Sequence, residues 1–322
     1  MRDAYGVRAA DLAYLPIGAD RNTTAYRLVA ADGAAYFLKL RSGPFNPASV
    51  EIQPWLREHG LAQVIEPIST VAGQPWTRVG EYAVVLYPFV EGQSGMQRPL
   101  SDPQWIELGE ALKRLHGMGL PSATGESIPR EAYADHFRAM VRGFMRQAED
   151  TVFDDPIAGD LAAMLRARRE TVLDLVSRAE LHATALKQVA LELVLCHADI
   201  HAANVMVADD GRLFIVDWDT LLYAPKERDL MFIGAGVGRV WRDERERTLF
   251  YTGYGATQVD PTALAYYRYE RIVEDIAEYA DQALSSDADE TERARALQRL
   301  AIQLEPGNVV IGIAYATDAA GA

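Results

Sequence analysis

Asp199 precedes Asn204 by five residues, and Asp217 follows Asn204 by thirteen. Between the last two lie the apolar runs Asn204 to Val207 and Leu213 to Val216, joined by Asp209-Asp210-Gly211, a hairpin signal. An amide and a carboxylate flanking a hairpin can converge on one hard cation. Magnesium takes few carboxylate or amide oxygens and completes its shell with phosphate and water, so Asn204 and Asp217 suit it. Asp199 stands just ahead, in His197-Ala198-Asp199, placed to orient a hydroxyl nucleophile and accept its proton. An ordinary carboxylate suffices when the transition state is loose, because proton removal is then not urgent. The plainer alternative is a polar turn capping a hairpin. Asp-x-x-x-x-Asn alone would recur by chance; the joint spacing, ending in Asp217-Trp218-Asp219, argues for the chemistry.

A second element is Tyr36-Phe37-Leu38-Lys39-Leu40, an apolar strand whose one charge is Lys39. Burying that ammonium is costly unless it meets an anion, and polyphosphate oxygens are suitable anions. The alternative is a half-exposed strand with its lysine in solvent. Upstream, Leu15 to Thr24 could turn over phosphates, with Asn22, Thr23 and Thr24 as backbone or side-chain donors. The segment has one glycine, so it is a weak phosphate-loop signal. A third element is Glu270, Glu274 and Glu278 at successive i,i+4 positions, with Asp275 and Asp281 nearby. Like charges so spaced cost about 0.2–0.5 kcal/mol per pair in an isolated helix. A cationic ligand would offset that cost; so would neutralisation by Arg268 and Arg271. Asp219 is a further acidic candidate.

These residues need a scaffold. The first ninety residues read as strands: Ala25 to Ala30 and Ala34 to Arg41 across Asp32-Gly33, then Gln63 to Ser69 and Tyr82 to Phe89. A short helix is expected from Pro47 to His59. Ser101-Asp102-Pro103-Gln104 starts a helix, and Trp105, Leu108, Leu112 and Leu115 share one of its faces. Further helical patterns cover about 131–149, 159–182, 261–284 and 291–304. Segregated strands and helices indicate an α+β fold. Cys196, in an apolar run, reads as core. His197 reads as a residue that hydrogen-bonds backbone to fix the loop, and Tyr266, Tyr267 and Tyr269 as packing residues more than cleft lining.

The chain has 322 residues, enough for two domains and a core needing no staples. A single cysteine excludes a disulfide framework. The net charge of −14 argues against nucleic-acid partners and favours a cationic one. With no run of 18 apolar residues, no membrane span is expected. Met1 to Gly6 lack an apolar signal core, so a cytoplasmic location is expected. Nothing in the sequence bears on oligomeric state.

His197-Ala-Asp199-Ile-His-Ala-Ala-Asn204, followed by Ile215-Val-Asp217-Trp218, resembles the catalytic and metal motifs of the aminoglycoside phosphotransferase family. Leu15 to Asp20, Ala224 to Gly238 and Tyr267 to Ile276 further resemble the spectinomycin-modifying branch of that family. The resemblance implies a bilobal protein-kinase-like fold, with a small β-rich nucleotide-binding lobe over 1–90 and a larger, mainly helical lobe over 91–322. It implies ATP and Mg2+, with Asp199 as catalytic base, Asn204 and Asp217 on the metal, and Lys39 on the phosphates. Adenine would meet the backbone of Tyr87, Pro88, Phe89 and Val90. Asp229 would buttress the catalytic loop. The implied acceptor is a hydroxyl of a cationic aminocyclitol antibiotic, spectinomycin first, with Asp199, Asp219, Glu274 and Asp275 facing it. Rival readings are a kinase of choline, homoserine or a methylthio-sugar, and a non-catalytic nucleotide-binding protein. Kinase-like folds pair the strand lysine with a helix glutamate; Glu51 and Glu58 are the candidates, and the choice stays open.

Overall fold

A computed structural model describes residues 1–18, 22–120 and 125–321. The chain forms two compact units. The first comprises Met1–Arg130, Val194–Tyr223 and Thr248–Ala256; the second comprises Glu131–Leu193, Ala224–Arg247 and Thr257–Ala322.

The first unit opens with an antiparallel sheet of β1 (Ala9–Leu15), β2 (Thr23–Ala30), β3 (Ala35–Arg41), β4 (Thr77–Val79) and β5 (Tyr82–Pro88), in the order β1-β2-β3-β5-β4. Side chains alternate across a strand, so β3 sends Leu38 and Leu40 to one face and Lys39 and Arg41 to the other. Leu38 joins Tyr5, Leu28, Val84 and Leu86 in an apolar cluster. The Asp32-Gly33 turn forms as expected, with Gly33 at φ 88°.

A second sheet joins β6 (Gly92–Ser94) to the later hairpin. It follows β7 (Val194–Cys196) in the chain and consists of β8 (Val205–Ala208) and β9 (Leu213–Ile215), in the order β6-β8-β9. The helix Asp102–His116 starts at the expected capping box, where the Ser101 N–H donates to Gln104 Oε1 at 2.9 Å. Trp105, Leu108, Leu112 and Leu115 are all buried.

Three expectations are corrected. Gln63 to Ser69 makes no strand; Val64 forms a lone bridge to Ile215, because Pro67 lacks the N–H a ladder needs. The helix expected from Pro47 to His59 is broken into Ala48–Glu51 and Gln53–Glu58. Pro54 removes a helical donor and crowds the preceding turn. The pattern at 159–182 is likewise two helices, Pro156–Ala167 and Arg169–Leu186, interrupted at Arg168 with φ −108° and ψ 13°.

A helix over Glu244–Tyr254 was not foreseen. Its part within the first unit crosses Asp102–His116 backbone to backbone. A Cβ on Gly253 would lie 1.9 Å from the Ile106 carbonyl oxygen, and one on Gly109 would lie 2.1 Å from that of Phe250. Gly253→Ala is therefore expected to destabilise the fold by about 2–3 kcal/mol in denaturant unfolding. Helix propensity alone would give the opposite sign, a gain of about 1 kcal/mol.

The second unit is helical. His136–Asp150, Pro156–Ala167, Arg169–Leu186, Glu290–Gln303 and Val309–Gly321 pack around the 24-residue helix Pro261–Leu284. Asp260 caps that central helix, its side chain accepting from the Ala263 N–H, and Pro261 opens it. Ala265, Ala277, Ala280 and Ala283 give it a small, fully buried face. Tyr266, Tyr267 and Tyr269 are buried, as packing residues should be. Among the described residues no helix is long and apolar enough to cross a membrane.

Candidate active site

β7 delivers His197, which is fully buried. Its Nε2 lies 3.0 Å from the Val216 carbonyl oxygen, and its Nδ1 accepts from the Asp199 N–H at 3.3 Å. Those partners set the proton on Nε2, and the imidazole ties the start of the loop 197–204 to the residue that follows β9. Thr220 Oγ1 donates to the His197 carbonyl at 2.9 Å. Ala198, at φ 68°, takes a left-handed conformation that costs an alanine about 1 kcal/mol or more. The turn directs Asp199 away from the strand.

Asp199 and Asn204 are directly bonded. Asn204 Nδ2 donates to the Asp199 carbonyl at 2.8 Å and to Asp199 Oδ2 at 3.1 Å. Both amide hydrogens are thus used, and Oδ1 is the ligand atom left to the Asn204 side chain. The Val216 N–H donates to the Asn204 carbonyl at 2.9 Å, which sets Asp217 one residue beyond Asn204's cross-strand neighbour. His201 Nδ1 accepts from Ala203 N–H, and its Nε2 lies 3.4 Å from Asp199 Oδ2.

Asp217, at φ 62°, presents its carboxylate to Lys39 Nζ at 2.9 Å from Oδ1. Lys39 Nζ is also 2.9 Å from Asp219 Oδ2. Glu51 and Glu58 are thereby corrected: the partners of Lys39 are two aspartates, and Glu51 instead accepts from Trp76 Nε1 at 3.1 Å. The reason is register. Lys39 and Arg41 face the loop after β9, and that loop supplies the anions. Burial opposes the Lys39 charge, but Asp217 and Asp219 outweigh it and hold the ammonium above its usual range. Burial likewise opposes the Asp217 carboxylate, and the Lys39 charge and hydrogen bond hold that carboxyl below its usual range. Lys39, Asp199, Asn204, Asp217 and Asp219 all belong to the first unit.

Sequence reasoning passed over Arg41. Its Nη1 donates to Asp219 Oδ2 at 2.7 Å and to Thr23 Oγ1 at 3.2 Å. The signal was its i+2 spacing from Lys39. Thr23 and Thr24 open β2 and Asn22 immediately precedes it, its carbonyl accepting from the Ser42 N–H at 2.8 Å. Ala19 to Arg21 of the expected turn lie outside the described residues.

Tyr87 and Pro88 end β5, and the Phe89 N–H donates to the Ala35 carbonyl at 3.1 Å. Among the described residues the backbone polar groups of Val90 have no hydrogen-bond partner. A cleft of about 470 Å³ opens beside Pro88, Phe89 and Val90, walled by Ile65 and Phe214.

Glu274 and Asp275 lie in the second unit on Pro261–Leu284. Arg271 Nε is 3.2 Å from Asp275 Oδ1, and Arg271 Nη1 is 3.9 Å from Glu274 Oε2. Arg228 Nη2 stands 4.0 Å from the same Glu274 oxygen. Glu270 is not on an exposed acidic face; it is buried and pairs with Arg138. Arg268 donates to the Met231 and Ile233 carbonyls and to Thr317. Arg271 lies on the same helix, as its spacing allows, whereas Arg138 and Arg228 come from other segments, which that spacing cannot show.

The model of the phosphotransferase enzyme family matches residues 13–269. The chain belongs to that family. Its antiparallel N-terminal sheet followed by a mainly helical region is the kinase-like fold of such enzymes. Spectinomycin phosphotransferase APH(9)-Ia, solved with ADP and spectinomycin, is 34% identical, with a TM-score of 0.90 over 98% of this chain and 96% of that one. Its AMP-bound structure gives 32% and 0.85 over the same shares. Protein StrN of Streptomyces griseus is 25% identical over 209 residues, 64% of this chain and 65% of StrN. The chain thus spans just under two thirds of that relative's length.

Proposed function

We propose that this phosphotransferase moves the γ-phosphoryl group of ATP to a hydroxyl of an aminocyclitol antibiotic, spectinomycin foremost, and so confers resistance. The observation that carries the reading is the Lys39–Asp217 pair beside the Asp199–Asn204 pair, within a chain 34% identical to a spectinomycin phosphotransferase.

In this reading residues 1–90 bind the nucleotide and 91–322 hold the catalytic loop and acceptor side. Lys39 and the donors of Asn22, Thr23 and Thr24 bind phosphate oxygens, and the backbone of Tyr87 to Val90 meets adenine. The donor set suits magnesium: an amide oxygen whose nitrogen is already anchored and a carboxylate held ionised by a lysine. Asn204 Oδ1 and Asp217 would hold the ion, which supplies neutralisation of the phosphate charge. The Asp199 carboxylate orients the acceptor hydroxyl and receives its proton. Asp219, Glu274 and Asp275 are the carboxylates offered to the antibiotic's amines. Most of the catalysis is positioning and charge neutralisation.

The test is mass-spectrometric detection of one added phosphoryl group on spectinomycin after incubation with ATP and magnesium, with choline, homoserine and a methylthio-sugar in parallel. Phosphate on one of those metabolites alone would replace the antibiotic reading with a metabolite kinase. Nucleotide binding without transfer to any acceptor would make this a binding protein.

Asp217→Ala is expected to weaken magnesium–nucleotide binding at least about tenfold, since it removes a charged ligand. Nucleotide titrations across magnesium concentrations check this; an affinity matching the parent at every concentration removes Asp217 from the metal site.

A further inference from the structure

Lys39 and Arg41 project from the same face of β3, two residues apart, and converge on one atom. Asp219 Oδ2 lies 2.9 Å from Lys39 Nζ and 2.7 Å from Arg41 Nη1. A single anionic oxygen held between an ammonium and a guanidinium has the environment that a phosphate oxygen seeks. Thr23, in the segment assigned to phosphate donors, is bonded to the same Arg41 nitrogen at 3.2 Å. A cavity of about 280 Å³ opens onto Arg41 and Asp219, walled by Pro44, Phe45, Asn46 and Ser49. An incoming anion therefore has room beside both.

Charge balance points the same way. Asp217 and Asp219 both meet Lys39, and Asp219 also meets Arg41. A polyphosphate entering there brings further negative charge, and Arg41 stands beside Lys39 as a second protein cation that can meet it. Its planar guanidinium can donate to two oxygens at once.

We propose that Arg41 is a second phosphate-binding cation of this site, and that Asp219 occupies the phosphate position in the nucleotide-free protein as an internal competitor. Nucleotide binding exchanges the Asp219 carboxylate for a phosphate oxygen on Lys39 and Arg41. The displaced carboxylate is then open to an acceptor ammonium, so the two roles of Asp219 are sequential. The inference rests on the nucleotide site proposed above.

Calorimetric titration with magnesium and the non-hydrolysable analogue AMP-PNP tests it, with adenosine as the phosphate-free control. Arg41→Met is expected to weaken AMP-PNP binding about tenfold, the loss of one charge-assisted contact, and to leave adenosine affinity unchanged. Arg41→Lys should recover part of the loss. Asp219→Asn should bind AMP-PNP more tightly than the parent, because a neutral amide competes poorly for two cations. Parent-like AMP-PNP affinity in Arg41→Met, or an equal loss for adenosine, overturns the phosphate role. Unchanged or weaker AMP-PNP affinity in Asp219→Asn overturns the competitor role, and that variant decides the matter even if Arg41→Met does not fold. Failure of the parent protein to bind AMP-PNP at all would instead strike the functional reading itself.

Discussion

Asp199→Ala is expected to lower turnover by about 10²–10⁴-fold while nucleotide affinity stays near that of the parent. The separation follows from the geometry. The nucleotide's proposed contacts are Lys39, Arg41, Asn22, Thr23, Thr24 and the backbone of Tyr87 to Val90, with Asn204 and Asp217 on the metal, and none of these is anchored through the Asp199 side chain alone. Asn204 keeps its 2.8 Å bond to the Asp199 carbonyl when the carboxylate is gone. His197 still holds the loop through Val216. What disappears is the group proposed to orient the acceptor hydroxyl and take its proton. Asp199→Asn, which keeps the shape and removes the charge, should lose most of the same activity. Steady-state turnover and a nucleotide titration on each variant make the comparison. A variant turning over at close to the parent rate removes Asp199 from the mechanism.

Arg138→Met should cost about 3–5 kcal/mol of stability, the usual loss when one partner of a buried ion pair is removed. Arg138 is 1% exposed, bonds Glu270, and donates to the Tyr133 and Ala134 carbonyls. Burial pushes the Glu270 carboxyl up to about 7, against the pull of Arg138. The native state therefore holds a proton that the unfolded chain releases near 4.5, and stability declines as pH rises from there through about 7. Without Arg138 the decline should extend to higher pH. The double variant Arg138→Met, Glu270→Met should recover most of the loss, since no charge is then buried alone. Denaturant melts of the three proteins at pH 5 and pH 8 test both claims. A single variant as stable as the parent at pH 8 would falsify this account of the pair.

The parts of the site that were legible in sequence are those held together over short range. His197 to Asn204 and the hairpin to Asp217 form one local unit, closed by hydrogen bonds between neighbouring segments. The capping box at Ser101 and the Asp260–Pro261 start of the long helix are local in the same way. Gln63 to Ser69 misled because apolar content outweighed Pro67 in the reading, whereas the ladder cannot form without that N–H. The acidic face of Pro261–Leu284 was legible in part: Arg271, on the same helix, meets Asp275 as its spacing allows, whereas Arg138 and Arg228 arrive from other segments.

By itself the sequence determined the residue types of the site, the hairpin that brings Asn204 next to Asp217, and the strand that carries Lys39. Turn chemistry and period-two alternation act within a few residues, so they can be read along the chain. Only the tertiary structure decided that Lys39 meets Asp217 and that Arg41 meets Asp219, each across 178 residues. It also decided that Glu270 is buried and that two helices touch at Gly109 and Gly253. Such pairings depend on how separate segments pack, and the spacing of residues within one segment carries no term for its distant neighbours.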